Sequence, residues 1–377
     1  MRFARSYGEG LAPALLGLFL TVTLCGLGAW QLAPGRSDAT AAWPNNYAVQ
    51  GLVHWDSGWY HHIANVGYWY HPETQSPVAF FPAYPLTIRL LSRAGVEPWL
   101  SGILISALCG CLAVLLFRRW AERVKGPATA RRATLLLVLY PFSFFIFGVM
   151  YADACFLLLS VSAFLLLEED RPGWAGWVGA LATATRPVAP ALVLGLLVRR
   201  LEWKRQRGLA WRWNDLLPSI ALLGMASYCS YLYWQFGDPF AFAHVQGAPG
   251  WDQPPGWHTW LKVTWFQILS SHPAPRVAAR LLAHAAVAVG MGALVWPTFK
   301  RLGWGYSLYL AAVTGMAALG SKDFMGMGRY ALAGFPAFLT LADQLEGRPR
   351  LTQLWCAVSG LAFCLAAVAF GANEYVS

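Results

Sequence analysis

Asp56 stands almost alone as an acid inside an aromatic stretch, His54-Trp55-Asp56-Ser57-Gly58-Trp59-Tyr60-His61-His62, which runs on through Gly67-Tyr68 to Ala79-Phe80-Phe81-Pro82-Ala83-Tyr84-Pro85. A carboxylate held among rings and near a cation can take a proton from a hydroxyl as a general base. The structural alternative is that Asp56 caps a helix beginning at Ser57 while the rings form an interfacial belt. Asp153, in a short turn between two apolar runs, divides in a similar way between a functional carboxylate, one that orients an acceptor or ligates a metal, and a helix cap. Arg186 and Arg329 lie at the ends of apolar runs, where a guanidinium fork either grips a phosphate or snorkels to the interface. Trp55, Tyr60, Tyr84 and the distant Trp251 offer ring faces for a sugar or for loop packing. His61 and His62 do not make a zinc pattern with Asp56, because adjacent helix residues point about 100° apart. With no D-x-D or E-x-D in this stretch, the expected chemistry is metal-independent and needs no cofactor.

The elements that carry these residues are membrane spans. Hydrophobic residues make up 57% of the 377-residue chain and charged residues only 12%, against about a quarter in a soluble domain, which excludes an ordinary soluble enzyme. Apolar runs and their breakers predict an all-α polytopic protein of about eleven transmembrane helices, near 11–33, 98–117, 133–150, 154–167, 173–184, 187–198, 216–235, 277–297, 303–320, 330–342 and 351–370. Arg2 and Arg5 precede a first run too long for a signal-peptide core, so it reads as an uncleaved span. With the N-terminus in the cytoplasm, the whole net charge of +10 falls on the inside segments, a positive-inside signal that needs no nucleic-acid partner. Thr185-Arg186-Pro187 breaks the run 172–198 into a helical hairpin, which preserves that bias and puts Arg186 near the external end of a cavity. The long segments left outside are 34–97, helical in part and holding Asp56, and 236–276. The inside connections contain no phosphate-binding glycine loop, so no nucleotide is expected there. All seven cysteines fall in apolar runs and read as buried thiols.

Five motifs in order give the chain a family likeness. The run H-W-D-S-G-W-Y…I-A…G-Y…F-F-P-A-Y-P resembles the opening loop of PIG-V-type mannosyltransferases, which include the second mannosyltransferase of GPI-anchor synthesis and bacterial relatives. Tyr140-Pro141-Phe142-Ser143-Phe144-Phe145…Tyr151-Ala152-Asp153, Thr185-Arg186-Pro187, Phe236-Gly237-Asp238-Pro239-Phe240-Ala241-Phe242 and Gly328-Arg329-Tyr330…Phe335-Pro336 are similar to the family's later motifs. His54 departs from the arginine common at its position, and Ala152 from a small polar residue.

The resemblance implies a GT-C glycosyltransferase: one integral-membrane domain, 1–377, that moves a sugar from a polyprenyl-phosphate donor on the external face. Asp56 matches the family's catalytic carboxylate. One displacement at the anomeric carbon inverts it, so a β-linked mannosyl donor gives an α-mannoside. Donor phosphate contacts are expected from Arg329, Arg186 and His54. The acceptor is a lipid, glycan or protein; membrane lipids surround the enzyme, no obligate protein partner is evident, and the absence of a glycosylation sequon points to a bacterial inner membrane. The alternatives are another sugar on the same carrier, such as glucose or aminoarabinose, or a lipid transporter or flippase, which should show internal repeats that the chain lacks. A membrane acyltransferase using His61 or His62 at the membrane interface ranks last, because it calls for a histidine deep in a span with a polar partner and only His284 lies within one.

Overall fold

The structure, a computed structural model, describes residues 2–32 and 46–376, so positions 34–45 of the first long segment lie outside the described residues. All regular structure in the described residues is helical. The chain opens with α1 (Arg2–Leu32), after which the short α2 (Tyr47–Gln50), α3 (Asp56–Asn65) and α4 (Ala83–Arg93) fill the first loop segment. Then come α5 (Pro98–Lys125), α6 (Pro127–Val138), α7 (Asp153–Glu168), α8 (Pro172–Thr183), α9 (Ala189–Gln206) and α10 (Leu222–Phe236), the last prolonged backwards by a 3-10 stretch, Trp213–Ala221. The second loop segment holds α11 (Ala241–His244), α12 (Trp257–Trp260) and α13 (Val263–Ser270). The bundle is completed by α14 (Pro275–Leu302), α15 (Trp304–Leu319), α16 (Met327–Tyr330), α17 (Pro336–Gln344) and α18 (Pro349–Gly371).

Among the described residues, five stretches are long and apolar enough to cross a bilayer: 9–31, 98–125, 213–236, 275–302 and 349–371. The chain is an integral membrane protein. The other runs expected to span are also helical, but shorter or broken. The run 133–150 stops as an α-helix at Val138, turns at Tyr140-Pro141, and continues as a 3-10 turn over Ser143–Ile146. Proline at 141 has no N–H to give and disfavours helix at the residue before it, so the break is local chemistry. The run 330–342 is divided in the same manner into α16, a 3-10 turn at Ala331–Gly334 and α17, with Pro336 at its start. The hairpin expected in 172–198 is present: α8 ends at Thr183, α9 begins at Ala189, and Thr185 Oγ1 donates to the Ala182 carbonyl at 2.7 Å to close the corner that bears Arg186.

Helix α7 lies at the centre, against α5, α8 and α9, and is apolar nearly all round, as a fully buried helix must be. The 3-10 turn after α6 lies directly on α5 at Gly110, where a Cβ would stand 1.6 Å from the Ile146 carbonyl oxygen. That close approach sets the path of 147–152, and Met150 N–H donates to the Leu52 carbonyl at 3.1 Å, tying the start of α7 to the first loop segment.

The two ends of α7 differ in kind. At its last residue, Glu168 receives Arg199 Nε at 2.5 Å and the Tyr306 hydroxyl at 2.8 Å. Nearby, Arg200 and Lys204 bind Asp215 at 2.7 and 3.1 Å, Arg119 binds Glu169 at 2.7 Å, and Arg118 binds Glu9. The cations read from the sequence as an inside cluster therefore interlock with acids on neighbouring helices. Asp153 starts the helix at the other end, about 22 Å away at 1.5 Å per residue.

Candidate active site

At the Asp153 end, two carboxylates meet two guanidinium groups. Arg329 Nη1 donates to Asp56 Oδ2 at 2.8 Å and stands 3.8 Å from Asp153 Oδ2, while Arg186 Nη1 donates to Asp153 Oδ1 at 2.6 Å. Asp56 and Arg329 are 273 residues apart in the chain. The side chains of Asp153, Arg329 and Arg186 are 2%, 8% and 12% exposed, and that of Asp56 is 27% exposed. Asp56 is thus the open side of the quartet, the place where a second reactant can reach it.

Local backbone explains each position. Asp56 is the first residue of α3, and its side chain does not cap the helix: the cap position is Trp55, at φ 54° and ψ −110°. Such a conformation in a bulky residue costs on the order of 1–3 kcal/mol and persists only when its surroundings impose it. Here the Tyr151 hydroxyl donates to the His54 carbonyl and accepts from the Asp56 N–H, both at 3.2 Å, and Ser57 Oγ donates to the Met150 carbonyl at 3.3 Å. Asp153 likewise starts α7 without capping it, since Ala152 occupies that position with no side-chain bond. Arg186 projects from the α8–α9 corner, and Arg329 from the four-residue α16, entered at Gly326 with φ +77°.

Rings surround the charges. The Arg329 guanidinium carbon lies 4.8 Å from the Tyr151 ring centroid, 5.1 Å from Tyr330 and 5.6 Å from Phe145. Arg186 lies 4.8 Å from Tyr330. These are cation–π distances, and they hold both forks without consuming their donors. Arg329 Nε is buried with no hydrogen-bond partner, a donor held dry beside the site. Tyr60 packs edge-on to Tyr84, Phe80 and Tyr151 at 4.9, 5.2 and 6.3 Å. Burial first, and then the Asp56 charge, hold its phenol well above the ordinary range, so it stays a neutral wall.

Of the residues singled out by sequence, the structure brings Asp56, Asp153, Arg186 and Arg329 together and Tyr60 beside them. It does not bring His54 into the quartet: Nε2 is 3.1 Å from the Gly371 carbonyl and the ring stands edge-on to Phe370. Trp55 turns outward onto Tyr375 at 4.9 Å. Tyr84 is buried with its hydroxyl on Gly102 O and Ser106 Oγ, at 2.9 and 2.8 Å, so it acts as a packing residue. Trp251 reaches back from the second loop segment to Trp59 and Phe80, at 5.7 and 6.1 Å, one turn of α3 beyond Asp56. His61 stacks on Trp99 at 4.0 Å and His62 accepts from Trp69 Nε1, so neither turns toward Asp56. Tyr151 and Tyr330 are the site residues that sequence reasoning passed over. Both lie inside quoted motifs, but a bridging hydroxyl and a shared ring face leave no local pattern.

The arrangement of the helices matches a known architecture. The apo oligosaccharyltransferase of Archaeoglobus fulgidus superposes with a TM-score of 0.54 at 15% identity, over 98% of this chain and 56% of that one. ArnT of Cupriavidus metallidurans, bound to undecaprenyl phosphate, superposes with a TM-score of 0.53 at 11% identity, over 97% of this chain and 76% of that one. This chain therefore spans little more than half the length of the oligosaccharyltransferase. The fold is the GT-C fold of membrane glycosyltransferases. Residues 19–193 match the model of the family described as Mannosyltransferase (PIG-V), the family that the ordered motifs resemble. No curated protein sequence matches the chain.

Proposed function

We propose that this protein is a glycosyltransferase that moves mannose from a polyprenyl-phosphate-mannose donor to an acceptor hydroxyl, with inversion, using Asp56 as general base. The observation that carries the reading is the Asp56–Arg329–Asp153–Arg186 quartet, assembled within a GT-C fold whose stretch 19–193 matches a mannosyltransferase family. Arg329 engages Oδ2 of Asp56, which leaves Oδ1 to receive the acceptor's proton. The acceptor oxygen then forms its bond to the anomeric carbon as the bond from that carbon to the phosphate oxygen breaks, and polyprenyl phosphate leaves with the electron pair. Arg329 and Arg186 stabilise the charge growing on the phosphate, for which their forks are shaped. Asp153 orients Arg186 and, through the 3.8 Å approach, Arg329.

The undecaprenyl phosphate on ArnT, a protein of like fold, supports a lipid-phosphate carrier and equally admits another sugar on it, such as glucose or aminoarabinose. Both carboxylates already face guanidinium groups, which favours a metal-independent reaction. The acceptor is a lipid, glycan or protein hydroxyl. The charge bias supports an N-terminus in the cytoplasm and the quartet on the external face, and the absence of a glycosylation sequon supports a bacterial inner membrane.

The test is transfer of labelled mannose by purified protein in lipid, from polyprenyl-phosphate-mannose and from GDP-mannose, for wild type and Asp56→Asn. Transfer from the lipid donor alone, reduced ~10²–10⁴-fold in the variant while the protein stays folded, is the expected result. Transfer undiminished in the variant would remove Asp56 as the base, and transfer only from another sugar carrier would change the donor.

A further inference from the structure

Beside the quartet, the segment that follows α18 makes a series of contacts that the mechanism above does not use. The last residue of α18 and those after it, 371–376, contact the turn before Asp56 on one side and α14 on the other. On the Asp56 side, the Gly371 carbonyl meets His54 Nε2 at 3.1 Å, and Tyr375 packs edge-on to Trp55, the strained residue immediately before the base. On the Arg329 side, the contacts run through α14. Arg280 donates to the Tyr375 carbonyl at 3.3 Å and lies 5.4 Å from its ring, Arg276 binds Glu374 at 3.3 Å, and the backbone of Val376 lies beside the buried ring of His284.

His284 is where α14 reaches Arg329. Its Nδ1 accepts the Gly328 N–H at 3.0 Å, so the neutral ring carries its hydrogen on Nε2, which is buried without a hydrogen bond of good geometry. The carbonyl of the same residue, Gly328, accepts the Tyr140 hydroxyl at 2.8 Å. Both polar groups of Gly328 are therefore fixed from opposite sides. The Phe142 ring, 5.4 Å from His284, fills the space a Cβ would need, approaching that point to 2.5 Å. The residue that follows this clamped glycine is Arg329.

We propose that His284, Tyr140 and the segment 371–376 form a positioning clamp that sets where the Arg329 guanidinium stands relative to Asp56. The clamp rests on the reading of Arg329 as the donor-phosphate ligand. Its members act through the Gly328 backbone and the His54–Trp55 turn. A misplacement of about 1 Å in such a group can cost on the order of a hundredfold in rate.

The test uses the full chain in lipid nanodiscs, with His284→Leu, His284→Asn and Tyr375→Ala. Asparagine keeps an acceptor near the position of Nδ1, whereas leucine fills the space without one. Two readouts are taken: sugar transfer with separate KM values for donor and acceptor, and direct binding of polyprenyl phosphate without sugar. His284→Leu and Tyr375→Ala should lower kcat/KM for the donor by about tenfold or more with the acceptor KM unchanged, and should weaken polyprenyl-phosphate binding. His284→Asn should recover most of both. Donor parameters in His284→Leu within twofold of wild type would overturn the clamp, as would an asparagine variant no better than leucine at equal folded fraction. If wild type transfers no sugar yet its binding of polyprenyl phosphate still depends on His284 in this order, the clamp stands and the mannosyltransferase reading falls.

Discussion

Replacing Arg186 by glutamine strands the Asp153 carboxylate. That side chain is 2% exposed, its 2.6 Å ion pair is with Arg186, and among the described residues the only other cation within 4 Å is Arg329, at 3.8 Å and already bonded to Asp56. Removing one partner of a buried pair costs about 3–5 kcal/mol because the charge left behind keeps its desolvation penalty. The residual approach of Arg329 places the expected loss for Arg186→Gln near ~3 kcal/mol. Asp153→Asn strands Arg186 less severely, since its side chain is 12% exposed and its guanidinium rests on the Tyr330 ring. A loss of about 2 kcal/mol is expected there. The double variant removes both charges and keeps the shapes, so it should lie within ~1 kcal/mol of wild type and reveal a coupling of several kcal/mol in the cycle. Denaturation of the detergent-solubilised protein measures all four forms, and mannose transfer is measured alongside. A stable double variant that has lost transfer would show that the pair serves the reaction rather than the fold. Additive losses, with coupling below about 0.5 kcal/mol, would refute the buried quartet.

Three further outcomes follow from other parts of the molecule. Gly328→Ala drives a methyl into the Phe142 ring, with a closest approach of 2.5 Å, and should cost about 1–3 kcal/mol in unfolding experiments along with donor affinity. In the second loop segment, burial raises the Asp238 carboxyl, but the His244 ring at 2.7 Å and the Phe240 N–H at 2.9 Å outweigh it and hold the carboxyl below its ordinary value. A depressed acid lends stability that is present above its unfolded value of 3.8 and disappears as pH falls through the lower folded value, so the protection of amides in 237–245, taken as exchange relative to the intrinsic rate at each pH, should fall as pH drops below about 4. Transfer activity in excess chelator should equal that without it; a loss restored by added divalent ion would replace the metal-independent mechanism with one in which Asp56 or Asp153 is a ligand.

The sequence by itself determined much of this protein's character. Hydropathy is a property of neighbours in the chain, so the membrane class, the helical content and the break at Thr185-Arg186-Pro187 were legible, as was the chemistry available at Asp56, Asp153, Arg186 and Arg329. The five motifs carried the family likeness for the same reason. What a helix rests on is not local. The breaks in the runs at 133–150 and 330–342 fall beside Pro141 and Pro336 and are local, but where the broken pieces rest was decided by packing: one turn lies on Gly110, and α16 with the turn after it lies beside α14 and α15. The cap alternatives for Asp56 and Asp153 gave way because guanidinium groups 273 and 33 residues away bind those carboxylates. His54 illustrates the limit most plainly: the residue type allowed a phosphate contact, but the end of α18, 317 positions later, supplies the carbonyl its ring faces. Tertiary structure alone could decide these partnerships, because a buried charge or ring nitrogen takes whichever complementary group the packed helices bring within about 3 Å, and that choice is not encoded in either residue's own neighbourhood.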